Sequence, residues 1–288
     1  MSSDILNNQA GALITARGEG QLCLNQDIRL SDLTLNTIDS DGTLWIVSDI
    51  DGWWNLPEPD IQDYPRGLDD GSYESVGRYN ARVFTVSGSF IPNGKANLSV
   101  ARQRLIRAAN LCHSGAWFVA HEADYTRGSH VWLSGQPTIT TTGLNGRTDF
   151  SVTLKAPDPV KYSLNGDAAP GWYTTSRSGG GSLTINNAGN FQVMPMISIT
   201  GPTNGSFNIT NSTTGEVVNV VKKINSGVTL TIDSYGRSLT MGTTRNQRSY
   251  LRWDTDWLTI VPGNNSISVG SGIGSGSISI DWRHGWIA

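Results

Sequence analysis

Eight carboxylates crowd the stretch from position 49 to 74: Asp49, Asp51, Glu58, Asp60, Asp63, Asp69, Asp70 and Glu74, against a single base, Arg66. Carboxylates at this density can do three kinds of work. Alternating Asp residues can ligate calcium, but Asp49-Ile50-Asp51-Gly52 runs into Trp53 and Trp54 and lacks the twelve-residue loop with its closing Glu. Two carboxylates at a fixed separation can cleave a glycosidic bond, yet almost any acidic loop offers two. The third use is contact with a partner. Side chains adjacent on an extended segment point opposite ways, so Trp53 and Trp54 rarely both enter one core, and tryptophan is enriched at interface hot spots. The reading preferred is a solvated or, more so, partner-facing loop carrying Asp49, Asp51, Trp53, Trp54, Asp69, Asp70 and Tyr73. Polar and proline-punctuated, the segment reads as a long loop without regular structure. Such loops in compact domains tend to be functional.

Other residues capable of chemistry make no constellation. His113, His121 and His130 have no tight ligand spacing and no cysteine partners for zinc. Cys112 is next to His113, but no base and orienting group surround it. The two cysteines, Cys23 and Cys112, make no disulfide framework and fit a reducing compartment. No catalytic, metal or cofactor set is expected, and an enzyme is not. Trp253, Trp257, Trp282 and Trp286 offer either a sugar-stacking surface or core; in a sandwich, core is the commoner use.

The elements that must position these residues are mostly strands. The chain has 288 residues and 33 glycines, with 37% hydrophobic residues and few helix-forming runs, which points to an all-β protein rich in turns. Phe150, Val152 and Leu154 alternate with Ser151, Thr153 and Lys155, one half-buried strand. Pro157 and Pro159 end it, since proline cannot donate to a sheet. This is the expected junction, with residues 1–158 as one domain and 159–288 as another.

In the first domain, strands are expected at 32–36, 45–47, 82–90, 116–120, 130–134 and 137–142. The one clear helix follows Gly94, with Asn97 placed to cap it. Leu98, Ala101, Leu105, Ala108 and Cys112 fall on its apolar stripe. Arg102, Arg104 and Arg107 lie off it as a solvated face. In the second domain 166–181 reads as a loop. Short strands then recur at 182–187, 194–200, 206–211, 217–221, 229–233, 238–241, 257–261, 266–269 and 277–282. Turn signals such as Asn204-Gly205 and Tyr235-Gly236 separate them, the pattern of a sandwich.

Net charge is −3, split as −6 over residues 1–158 and +3 over 159–288. The whole chain shows no basic bias toward nucleic acid. No basic-apolar leader opens it, and no apolar run approaches the roughly 20 residues of a membrane helix. A soluble protein made in a cytoplasm is expected.

Several stretches together resemble a known family. They are LDDGSYESVGRYNARVFTVSGSF, the lone helix, and the closing strand into APDPVKYS. In the second half they are NAGNFQVMPMISITG, TTGEVVNV, LTIDSYGRSL and WLTIVPGNNSISV with the final DWRHGWI. The chain is similar to the distal tail proteins of long non-contractile-tailed bacteriophages, over nearly its whole length and in order. The first forty residues carry little of the likeness. The resemblance implies a tail-tube-like first β-sandwich with one helix and an extended hairpin or loop, and a galectin-like second β-sandwich. It implies a structural virion protein, six copies of which form a ring joining the tail tube to the tail tip or baseplate. The partners implied are the chain itself, the tube protein and tail-tip proteins, with DNA passing through the channel. An acidic first domain suits that channel, because basic walls would grip phosphates. The alternative from another class is a carbohydrate-binding tail module aiding adhesion, with no binding expected to simple galactosides.

Overall fold

The structure is a computed structural model that describes residues 28–122, 125–142, 146–164, 171–245 and 247–288. Cys23 and Asp124 lie outside the described residues. The chain divides into two compact units, the first running through Lys161 and the second spanning Tyr162–Ile287.

The first unit opens with β1 (Ile28–Leu30), β2 (Leu33–Leu35) and β3 (Leu44–Asp51). Four two-residue strands follow, β4 (Pro59–Asp60), β5 (Tyr64–Pro65), β6 (Ser72–Tyr73) and β7 (Arg78–Tyr79). Then come β8 (Arg82–Ile91), helix α1 (Leu98–Ala109), β9 (Ala116–His121), β10 (Thr126–Leu133), β11 (Thr138–Thr141) and β12 (Thr148–Ala156). The strand order is β2-β1-β9-β10-β12-β8-β3, with β11 also on β12, and these pairings are antiparallel. β10 pairs with β9 through Thr126–Val131 and with β12 only at Trp132 and Leu133, so one strand serves two sets of partners in succession.

Alternation explains the long strands. On β12, Thr148, Phe150, Val152, Leu154 and Ala156 are buried, while Asp149, Ser151, Thr153 and Lys155 are less so. On β8, Phe84, Val86, Gly88 and Phe90 face the same core. Gly88 is required by a close approach, since a Cβ there would stand 2.2 Å from the Ile46 carbonyl oxygen and 2.8 Å from the Phe150 ring. β3 carries a bulge between Val47 and Asp49, which shifts its register against β8.

Helix α1 buries Ala101, Leu105, Ala108 and Ala109. Asn97 occupies the N-cap without a side-chain capping bond. One expectation is corrected here. Cys112 is exposed: the helix stops at Ala109 and the chain turns to bury Leu111 instead, so helical spacing no longer applies. The arginines lie off the buried stripe and have partners there, for Arg104 pairs with Asp39 and Asp41, the exposed Arg107 with Asp32, and Arg102 donates to Thr141.

The second unit follows from β13 (Lys161–Ser163), which starts at the boundary. Its strands are β14 (Tyr173–Ser178), β15 (Gly181–Asn187), β16 (Met196–Thr200), β17 (Phe207–Asn211), β18 (Val217–Val220), β19 (Thr229–Asp233), β20 (Ser238–Met241), β21 (Thr244–Arg245), β22 (Gly263–Val269), β23 (Ser277–Trp282) and β24 (Gly285–Trp286). One sheet runs β14-β23-β16-β19-β20-β21 and another β15-β22-β17-β18. Ile197, Ile199, Leu230, Ile232, Ile278 and Ile280 of the first share one apolar cluster with Ile185, Ile209, Val218 and Ile267 of the second. A sandwich results because each strand offers one apolar face and two sheets bury both. β14 corrects the loop expected there: its Ser/Thr alternation pairs with β23 from Tyr173↔Trp282 to Ser178↔Ser277. The strand expected at 257–261 is only an isolated bridge, Val193↔Ile260. The mostly-β fold with one α-helix among the described residues agrees with the expected class.

Candidate functional site: an exposed arm on a buried root

The acidic segment leaves β3 and returns through β8. It is not irregular, as the sequence suggested. Pro59↔Tyr79 and Asp60↔Arg78 pair, and farther out Tyr64↔Tyr73 and Pro65↔Ser72 pair, making an antiparallel arm. Its tip is closed by the Arg66 amide on the Gly71 carbonyl at 3.0 Å, with Gly71 at φ +93°. Tyrosine, serine and proline without an apolar alternation carry no period to read, yet four rungs pair once the ends are held side by side. A bare hairpin is marginal in water, so the root has to hold it.

At the root the two tryptophans part company. Trp53 is a core residue with 0% exposure. Its ring meets Phe84 at 5.0 Å and Phe118 at 4.9 Å. The expectation that it faces a partner is therefore corrected: Gly52, at φ +89°, turns the chain so that the next side chain points inward. Trp54 points outward and is 41% exposed.

Two buried cations grip this turn. Arg82 donates to the carbonyls of Trp53 at 3.1 Å, Asn55 at 2.7 Å, Gly52 at 3.4 Å and Pro159 at 3.1 Å. Lys161 donates through Nζ to the Trp53 carbonyl at 3.0 Å and lies 4.8 Å and 5.0 Å from the Trp53 and Trp54 ring centres. Burying charge is costly, and carbonyl dipoles and aromatic faces offset part of the cost. Burial pushes the Lys161 ammonium down to about 7, with Arg82 adding to the shift and Glu122 opposing it. Burial likewise lowers Arg82 to about 10, which leaves it charged at neutral pH. Sequence reasoning missed both residues. Arg82 read only as the start of a strand and Lys161 only as a linker residue, and no period marks either as buried.

The remaining expected residues fall in two places. Asp49 and Asp51 are exposed on β3, opposite Ser87 and Thr85. Asp69, Asp70 and Tyr73 are exposed at the arm's far end, where the Arg66 guanidinium stands 5.8 Å from the Tyr73 ring centre. The structure thus joins Asp69, Asp70 and Tyr73 and sets Asp49 and Asp51 apart from them. Among the described residues no three His, Cys, Asp or Glu side chains converge as metal ligands. His130 packs between Trp117 at 5.5 Å and Trp132 at 4.5 Å, and burial lowers its imidazole pKa. In the second unit Trp282 and Trp286 are buried, so they form no platform with exposed Trp253.

This architecture holds an exposed, acidic projection that also carries bare apolar side chains; Val76 on it is 96% exposed. Residues 188–286 match the family model of the siphovirus-type tail component, C-terminal domain. No curated protein matches. The solved structure of SPP1 Dit, described as a paradigm of the hub adsorption apparatus in phages infecting Gram-positive hosts, is 16% identical. It aligns over 90% of this chain and 98% of its own with a TM-score of 0.63. The phage P2 baseplate, in its activated conformation with Ca, contains a chain 9% identical over 89% of this one and 97% of its own, with a TM-score of 0.40. The likeness to distal tail proteins read from the sequence is thus met by the family model in the second unit and by a shared fold along nearly the whole chain.

Proposed function

We propose that this chain is a structural, non-catalytic component of a phage tail, a hub that joins the tail tube to the tip or baseplate. The match of residues 188–286 to a siphovirus tail-component model carries the reading. The fold shared with a protein described as part of a hub adsorption apparatus supports it. In this reading residues 1–158 are a tail-tube-like, ring-forming domain and 159–288 a galectin-like sandwich outside the ring. Six copies close around a channel, with the tube protein on one side and tail-tip proteins on the other. The protein assembles in the host bacterial cytoplasm and resides in the virion tail.

The net −6 of the first domain supports a channel that DNA crosses without being gripped. Asp49, Asp51, Trp54, Asp69, Asp70 and Tyr73 belong to the ring interface or lumen, and Trp53 supports them from the core. Light scattering with negative-stain images tests the proposal. The expected result is a mass of six times 31.0 kDa and six-fold rings with an open centre. A single-chain mass that persists on mixing with the tube protein of the same tail would overturn it.

A further inference from the structure

Two surfaces of this chain are opposite in charge and alike in carrying bare apolar groups. One is the arm, where Leu68 and Val76 stand in solvent among Asp60, Asp63, Asp69 and Asp70. The other lies on the second unit, where residues 248–257 run beside β18. Val220 bridges to Leu251, and the Arg252 amide donates to the Asn219 carbonyl at 3.0 Å. Arg248, Arg252 and Trp253 line one hollow, Lys222 lies beside Ser249 and Tyr250, and Lys223 follows it as an exposed residue. Trp253 is 94% exposed. The Arg248 guanidinium lies 5.5 Å from the Trp257 ring centre, and Lys222 Nζ lies 5.1 Å from that of Tyr250. A hollow of about 190 Å³ opens between Arg248, Trp253 and Trp257.

The acids beside this face are already engaged. Asp254 takes both Nε and Nη2 of Arg252, and Asp256 accepts the Val217 amide at 3.0 Å. Among the described residues, Lys222 donates to Ser249 Oγ and Arg248 to the Arg237 carbonyl, neither to a carboxylate.

We propose that this basic, aromatic face is the dock for the acidic arm of a second copy of the chain. The inference rests on the ring reading. Among the described residues Leu68, Val76 and Trp253 are exposed, and a second copy is the occupant that brings both surfaces with it. A net −6 half meets a net +3 half, and complementary charge steers association and fixes register. Tryptophan, tyrosine and arginine are the side chains that dominate interface energies. The paired limbs run from Glu58 and Asn80 to Arg66 and Gly71, and nine residues of strand span about 30 Å. Arm on one copy and dock on the next make a heterologous contact between neighbours, which adds to the contacts of the ring-forming first domains and places the arm at the ring interface rather than in the lumen.

The test is charge reversal in the full-length protein with mass read by light scattering. Asp69→Lys with Asp70→Lys, and separately Lys222→Glu with Lys223→Glu, should each weaken self-association by about tenfold or more. The four changes combined should restore it. Unchanged thermal unfolding shows that these exposed substitutions leave the fold intact. Wild-type rings whose mass survives both reversals would overturn the dock and leave the hub reading standing. Wild-type protein that stays a single chain, alone and with the tube protein, would overturn both. Glycan-array binding lost in Trp253→Ala, with ring mass unaffected, would assign the face to sugar and overturn the dock.

Discussion

Lys161 Nζ donates to the Trp53 carbonyl at 3.0 Å across 108 residues of chain. One bond therefore ties the end of the first unit to the root of the arm, in a setting where the ammonium has 0% exposure. Arg82 grips the same turn from a third stretch of sequence. The arm is anchored by cations on backbone carbonyls, an arrangement insensitive to which side chains the arm carries.

This anchor makes stability depend on pH. Lys161 falls from the ordinary 10.5 to about 7, chiefly through burial. Between those values the unfolded chain holds a proton that the folded chain lacks. Unfolding takes up that proton, so stability rises with pH through the window and is lowest below about 7. Thermal unfolding from about pH 6 to about pH 9 should show the melting temperature climbing. In Lys161→Met that component should vanish, because the buried charge is replaced by an apolar chain of similar length.

Arg82→Met should be more damaging than its conservative volume suggests. It strips the donor from the Asn55 and Pro159 carbonyls and leaves the Trp53 carbonyl with Lys161 alone. Unpaired buried polar groups cost about 1–3 kcal/mol each, so a loss of about 2 kcal/mol or more is expected by urea denaturation. Limited proteolysis should cut residues 56–80 faster than in the wild type, reporting a loosened arm.

The adjacent tryptophans should respond unequally. Trp53→Ala removes a ring packed between Phe84 and Phe118, at about 3–5 kcal/mol. Trp54→Ala removes a half-exposed ring 5.0 Å from the buried Lys161 ammonium and should cost less, about 1–2 kcal/mol. Equal effects in denaturant titrations would contradict the placement of the two rings.

Gly88→Ala should destabilise the β3–β8 pairing by about 1–3 kcal/mol. Its Cβ would press on the Ile46 carbonyl, which is backbone and cannot swing aside. Hydrogen exchange should locate the loss in β3 and β8, with amides of the second unit unaffected.

Much of the frame was legible. Alternation marked β8 and β12 closely, and helical spacing found α1, because burial on one face imposes a period that composition must obey. The period failed where its premise ended. Cys112 lies beyond the helix, so its place on the stripe meant nothing. β14 hides in serine and threonine, residues equally at home in loops, and only its pairing with β23 shows it to be a strand. The arm escaped for a related reason: with no buried face, it has no alternation to display.

By itself the sequence determined a strand-rich chain with one helix, an acidic aromatic segment, and the end of a strand just before Pro157. These follow from local chemistry, since strand period, turn residues and proline's missing donor act over a few neighbours. Only the tertiary structure decided that Trp53 is core while Trp54 is surface, that Arg82 and Lys161 are buried, and that the helix arginines pair with Asp32, Asp39 and Asp41. Each of those outcomes depends on groups 27 to 108 residues apart meeting at one point. That meeting is set by sheet register and packing, which no local window of sequence contains.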